Sequence, residues 1–305
     1  MRFQIVLIKP QEFEFVESLR EPMEVLQECL IKLGHWAQIQ TNRIDAGEIP
    51  IIFAAQHVDP FDLSRLPRNS IIFNLEQLAP DYPWFSEQYL KTLARFRVWD
   101  FSAENVDYLH HSGISTSALH VPFGYSPCLT RIAPVAGEDV DVLFFGIQSE
   151  RRLRVLRELG NRGLNVVALN NVWGAQRDSW IARSKVVLNI HLADNGRFEI
   201  VRVLFLLANG KAVVSEGDGD DSLDAGLQGR FVAASYDGLV DACVRLLQSH
   251  DERIALQAKA FAVAKEGGLQ ALPRIEFAVR DFSSSDFVSA NEDPGENAMF
   301  HLHTR

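Results

Sequence analysis

"SKVVLNIHLADNGRFEIVRVLFLLANGKAVVSE" (residues 184–216) decides the fold. "KVVLNIH" (185–191) is a continuous apolar run, the pattern of a strand covered on both faces of a parallel sheet. "KAVVSE" (211–216) is a second run of the same kind. The helical stretch between them is apolar at nearly every position after its first turn, so most of its surface is buried. Strand, crossover helix and strand in this order make a parallel α/β unit.

The pattern repeats outward from there. Strand-like runs at 140–146, 164–169 and 229–235 alternate with helical stretches at 149–160, 175–184, 237–250 and 251–266. In the 149–160 helix Leu153, Leu156 and Leu159 face inward and the arginines are expected to face outward. The first part of the chain alternates too, with strands at 3–8, 37–41, 50–55, 70–75, 96–102 and 118–124 and helices at 22–34 and 103–113. Residues 128–139 lack a period and contain Pro134 and Gly137, so they read as a linker. The expected organisation is an α/β protein of two Rossmann-like, doubly wound lobes facing a cleft. The lobes span 1–127 and 140–281, and a polar, flexible tail follows at 282–305.

Bulk properties narrow the function. The chain has 305 residues, 47% of them hydrophobic, and a net charge of −10. That acidity argues against nucleic-acid binding, which calls for a basic face, and leaves room for a local basic pocket. Cys29, Cys128 and Cys243 show no metal-ligand or disulfide spacing, which suits a reducing compartment. Apolar runs such as 203–208 fall short of a membrane span, and the N-terminus reads as a strand instead of a signal peptide. A cytoplasmic protein without a membrane span is expected. Neither lobe carries Gly-x-Gly-x-x-Gly after its first strand, which argues against a dinucleotide dehydrogenase.

In open α/β sheets the chemistry lies just beyond the carboxyl ends of the strands. In the second lobe, strand 140–146 ends at Gly146, and Gln148 and Ser149 lead into a helix whose free N–H groups suit an anion. A plain turn at Gly146 and a plain cap at Ser149 explain the same residues. The next parallel strand ends at His191. Arg197, Glu199 and Arg202 then open the greasy helix. Two readings stand for them: a diphosphate clamp, with Glu199 on sugar or ribose hydroxyls, and an internal Arg–Glu pair that braces the lobe. Asn170, Val172 and Trp173, after strand 164–169, offer backbone groups and a flat surface for a nucleotide base, although Trp173 serves equally as ordinary packing. The acidic run 216–221 reads as a solvated loop, with no metal site expected.

These residues resemble the donor lobe of GT-B glycosyltransferases, and within them the bacterial CgeB-like (spore maturation protein-like) group. The similarity rests on Ser184, Lys185, Leu188 and Asn189 in the strand, on Arg197, Phe198 and Glu199 at the helix start, and on Gly210. It spans roughly 140–265; the N-terminal half agrees only in lobe type. The resemblance implies a nucleotide-diphosphate sugar as donor, no cofactor and no bound metal. It also implies a second glutamate about eight residues after Glu199 for the ribose. That position is Leu207, which leaves Glu216 or Asp218 as substitutes.

The first lobe then takes the acceptor, whether saccharide, small molecule or protein. His57, Glu76 and Asp100 sit at strand ends as candidate bases for an acceptor hydroxyl. The expected function is metal-independent transfer of a sugar. The alternatives are a catalytically inactive GT-B-like binding or accessory protein and a GT-B-like nucleotide-sugar epimerase. The sequence does not set the oligomeric state.

Overall fold

The computed structural model describes residues 1–80, 82, 85–194, 196, 198–217, 227–266, 269, 271–284 and 300–302. The chain divides into two compact units, Met1–Gly124 with Leu269–Arg305, and Tyr125–Gly268.

Unit 1 contains β1 (Arg2–Leu7), α1 (Arg20–Lys32), β2 (Trp36–Thr41), β3 (Arg43–Ile44), β4 (Ile49–Phe53), α2 (Pro60–Arg65), β5 (Ile71–Asn74), α3 (Glu87–Arg95), β6 (Arg97–Asp100), α4 (Ala103–His111) and β7 (Leu119–His120). Six of the strands form a sheet in the order β2-β1-β4-β5-β6-β7, paired in parallel throughout. Ile5, Ile51, Ile52, Ile71, Ile72 and Val98 are fully buried along its centre. Serines cap the helices that return the chain: Ser86 Oγ accepts the Tyr89 N–H and Ser102 Oγ the Asn105 N–H.

Unit 2 contains β8 (Val140–Phe145), α5 (Glu150–Asn161), β9 (Val166–Leu169), α6 (Gly174–Ala182), β10 (Ser184–Asn189), α7 (Ile200–Ala208), β11 (Ala212–Glu216), β12 (Val232–Ala234), α8 (Leu239–Gln248) and α9 (His250–Glu266). Its parallel sheet runs β12-β11-β10-β8-β9. The greasy stretch is α7. Val203 to Ala208 are all buried, because the helix lies between β11 and α9. It stops where Gly210 takes the left-handed conformation, φ 66°, and the Lys211 N–H returns to the Leu206 carbonyl at 3.1 Å.

The boundaries differ from the sequence reading at two places. Residues 125–139 belong to unit 2, and Asn209 is the reason for part of this. Its Oδ1 accepts the Arg131 and Ile132 N–H groups at 2.9 and 2.8 Å, and its Nδ2 donates to the Leu129 carbonyl at 2.8 Å. The end of the expected second lobe instead forms α10 (Leu272–Ser284), which packs on α1 in unit 1. Ile275, Ala278, Val279 and Phe282 form its buried stripe, and Arg97, itself buried, pairs with Asp281 at 2.8 Å. Most of the expected flexible tail lies outside the described residues. Its described parts are residues 282–284, which end α10, and β13 (Phe300–His301), which pairs antiparallel with β3; the Leu302 N–H reaches the Asn42 carbonyl at 2.8 Å.

Phe282 is fully buried in unit 1. Phe282→Ala is expected to cost about 3 kcal/mol in urea unfolding. A residue belonging to a loose terminal segment would cost nothing.

Candidate functional site

In unit 2 the order of strands reverses between β8 and β10. From β8 the chain goes to β9 on one flank, then crosses back to lay β10 on the other. Crossovers diverge at such a point, and the carboxyl ends of the strands border a crevice. Gly146 follows β8 and His191 follows β10 by two residues, while Glu216 ends the next strand, β11. Gly146 has φ 138°, and a Cβ there would lie 3.0 Å from Arg202 Nη2 and 3.6 Å from Arg152 Nη1. The left-handed backbone favours glycine, and a side chain there would crowd the Arg202 guanidinium.

Glu199 precedes α7 as its N-cap, and its carboxylate joins two arginines. Oε1 accepts from Arg152 Nη2 at 2.8 Å, and Oε2 pairs with Arg202 Nη1 at 2.5 Å. Arg202 also donates to Asn189 Oδ1 at 2.7 Å. Arg152 is 2% exposed, which corrects the expectation that the α5 arginines all face outward. Its guanidinium donates to the Ile190 carbonyl at 2.6 and 2.9 Å and to the Ile147 carbonyl at 2.9 Å. A buried cation needs such partners. Glu199 and Arg202 keep more exposure than Arg152, with 28% and 16% of their side chains accessible. The bracing arrangement is therefore present, and its outer members are the ones a ligand can reach. Arg197 lies outside the described residues.

A second cluster adjoins the first. Arg151 donates through both terminal nitrogens to the two carboxylate oxygens of Glu216, and through Nε to Asp194 at 2.6 Å. Its guanidinium lies 4.0 Å from the Tyr236 ring centroid. Glu216 also accepts the His191 N–H at 2.9 Å. The carboxylate considered for the ribose is thus already held by three hydrogen bonds from two residues, and its residue is 7% exposed. Asp218, the other substitute, lies outside the described residues. Burial pushes the His191 imidazole below its ordinary range, outweighing the pull of Glu216 and Glu199, while Arg151 and Arg152 add to the lowering. Arg151, Arg152 and Arg202 face Glu199, Glu216 and the well-exposed Asp194, so the described charges balance only when Asp194, 94% accessible to water, is counted.

The remaining expected residues lie around the same mouth. Ser149 caps α5, its Oγ accepting the Arg152 N–H at 3.4 Å, and Gln148 is exposed. Helix first-turn N–H groups lack intrahelical acceptors and favour anions. Asn170, Val172 and Trp173 follow β9, the edge strand beside β8. Asn170 is exposed and Val172 partly so; Trp173 precedes α6 and its indole donates to Asn171 Oδ1 at 3.0 Å. Arg151 and Arg152 were the residues sequence reasoning missed. Their signal is their position in the first turn of a helix that follows a strand end and a capping serine.

The three base candidates of unit 1 differ in environment. Asp100 is fully buried, and its oxygens accept from Asn74 Nδ2 at 2.6 Å, the Ser102 N–H at 2.8 Å and Asn105 Nδ2 at 3.1 Å. That carboxylate ties β5 to α4 and is enclosed, whereas a base must reach its substrate. Glu76 is partly exposed and accepts from Gln56 Nε2 at 2.7 Å. Burial of its carboxyl pushes it up from 4.5 to about 7, against that hydrogen bond. His57 is buried, its ring 5.2 Å from that of Phe13, and burial lowers its imidazole below the ordinary range. Among the described residues no group of three or more His, Cys, Asp or Glu side chains is placed to hold a metal ion, and no helix is long and apolar enough to cross a membrane.

Solved structures match this chain over most of its length. The structure of Anabaena Alr3699/HepE in complex with UDP and glucose matches 93% of this chain and 100% of its own, with a TM-score of 0.61 and 12% identity. The fold is that of the GT-B glycosyltransferases. WaaG, a glycosyltransferase involved in lipopolysaccharide biosynthesis, matches 92% of this chain and 100% of its own at a TM-score of 0.57 and 11% identity. No family model matches the sequence. Among curated proteins, uncharacterized protein L140 of Acanthamoeba polyphaga mimivirus is 28% identical over 225 residues, 69% of this chain and 72% of L140. Uncharacterized protein L137 of the same virus is 28% identical over 239 residues, 74% of this chain but 30% of L137. This chain therefore spans less than a third of L137. These relatives are viral, whereas the resemblance in the sequence pointed to a bacterial group.

The raised Glu76 carboxyl has a pH consequence. The native state keeps this proton where the unfolded chain, near 4.5, has lost it, so Glu76 withdraws stability as pH rises from 4.5 to about 7. Glu76→Gln should raise the urea midpoint at about pH 8 relative to wild type and leave it nearly unchanged at about pH 4.

Proposed function

We propose that this protein is a glycosyltransferase whose donor is a nucleotide-diphosphate sugar of the UDP-sugar kind, held at the β8/β10 crevice of unit 2. The observation that carries this reading is the Arg152–Glu199–Arg202 bridge at Gly146, where a parallel α/β sheet reverses its strand order. The GT-B fold and the UDP bound in HepE support it, as does the CgeB-like pattern of Ser184, Lys185, Leu188, Asn189, Arg197, Phe198, Glu199 and Gly210.

The roles follow from accessibility. Arg152 is enclosed and acts by positioning Glu199. Arg202 and Glu199 are the members that meet the donor. When the bond from the anomeric carbon to the phosphate oxygen breaks, its electron pair stays on that oxygen, and negative charge grows on the departing nucleoside diphosphate. Arg202, released from Glu199, and the first-turn N–H groups of α5 oppose that charge. Glu199, freed on one oxygen, accepts from a donor sugar hydroxyl. The acceptor oxygen forms the new bond and gives its proton to a base. Guanidinium and N–H donors supply the positive charge, so the reading requires no resident metal.

Arg202→Ala should weaken UDP binding by about tenfold or more, the worth of a charge-assisted hydrogen bond, with the melting temperature close to wild type. Calorimetric titration with UDP and a thermal melt measure both. A melting temperature lowered by many degrees with UDP affinity intact would assign Arg202 to bracing alone. Incubation with UDP-, GDP- and dTDP-sugars separates the activities: transfer or slow hydrolysis marks a transferase and isomerised sugar an epimerase. A thermal shift without turnover marks a binding protein.

A further inference from the structure

Helix α10 closes the core of unit 1 with one face and leaves the opposite face bare. Ile275, Ala278, Val279 and Phe282 are buried, whereas Pro273, Arg274, Phe277 and Arg280 are exposed. Phe277 keeps 55% of its surface accessible to water, and it does not stand alone. A cavity of about 470 Å³ separates α10 from the end of α1, with Val279 and Arg280 on one wall and Met1, Leu33 and His35 on the other. Met1 is 40% exposed; Ile31, two residues before Leu33, is 55% exposed, and Trp36, next to His35, is 37% exposed. α10 and the chain segments bordering this cavity thus supply four of the eight large apolar side chains that are exposed among the described residues. Scattered single side chains of this kind are ordinary, whereas a cluster rimmed by polar groups marks a contact surface.

We infer that this face docks a second copy of the chain about a two-fold axis. The bare crest of α10 is complementary to itself. Glu276, Phe277 and Arg280 share it, since positions three and four apart are neighbours on a helix surface. An axis perpendicular to α10 at the level of residue 278 runs the two copies of the helix antiparallel. Position 276 of each copy then lies level with position 280 of the other, so two Glu276–Arg280 pairs form across the axis. The two Phe277 side chains come within about 3 Å of each other along the helix direction, near enough for their rings to stack. A two-fold contact requires this reciprocity, because the same patch serves on both sides. Within one copy Glu276 and Arg280 already pair, but with 42% and 78% of their side chains accessible that pair alone is worth little. Across the axis the same groups make a network of four. One helix crest and the side chains around the cavity make a patch at the low end of specific interfaces, below about 1,200 Å², so the dimer is weak and reversible. It belongs to unit 1 and is independent of the donor reading, which concerns unit 2.

Sedimentation velocity on the full chain, over about a hundredfold range of concentration through the micromolar region, tests this. The wild type should pass from monomer to dimer and stop there. Phe277→Gln should weaken association by about tenfold or more, with the melting temperature of the dilute protein close to wild type. Glu276→Arg and Arg280→Glu should each weaken it as well, because like charges then meet across the axis. Mixed in equal amounts, those two variants should associate again, since every pair between them joins opposite charges. A wild type that stays monomeric at every concentration would overturn the inference, as would a dimer indifferent to Phe277→Gln. Growth beyond the dimer would overturn the two-fold arrangement. A mixture that associates no better than either charge variant alone would overturn the antiparallel pairing of α10.

Discussion

Glu199 grips two guanidinium groups at once, and the mouth of unit 2 is organised around that bridge. One of the two, Arg152, is almost wholly enclosed, a costly place for a charge. It is tolerable because the same side chain satisfies the carbonyls of Ile147 and Ile190, which belong to the exits of two different strands. The bridge thus connects the loop after β8, the loop after β10, the first turn of α5 and the start of α7. Gly146 is part of the same constraint, since any side chain there would meet Arg202.

Both units use one physical arrangement. A parallel sheet whose chain departs first to one flank and then to the other leaves an uncovered gap where the crossovers part. In unit 2 that gap is lined by arginines and carboxylates. In unit 1, where the chain goes from β1 to β2 on one flank and then to β4 on the other, the strand exits carry the Phe13 ring, the Gln56 amide and the Glu76 carboxyl. The same backbone geometry therefore offers two chemically distinct surfaces.

Much of this was legible in the sequence, because parallel strands covered on both faces read as short unbroken apolar runs. The strands at 140–145, 184–189 and 212–216 and the buried helix between the last two follow from composition alone. The mouth was legible in part. Arg202 and Glu199 were found because charge on a greasy helix is conspicuous. Arg152 was not, because α5 also carries exposed arginines and its leucine stripe accounts for the inward face; only tertiary contacts with carbonyls from another loop bury it. The allocation of α10 was hidden for a similar reason. Its apolar stripe shows that it packs, but nothing local shows on what, and its ion pair joins residues 184 positions apart. Asp100 looked like a candidate base because strand ends are where bases sit, and only the three donors around it show that it is spoken for.

The return of α10 to unit 1 makes unit 2 an insertion within unit 1, and this orders events as the chain leaves the ribosome. Unit 2 is contiguous, so all of its strands and helices leave the ribosome before α10 does. Unit 1 must hold the surface of α1 uncovered, and Arg97 without the carboxylate of Asp281, through the whole synthesis of its neighbour. The earlier-made half of the molecule is thus the later one to complete its core, and it is the half exposed to mispairing in the interval.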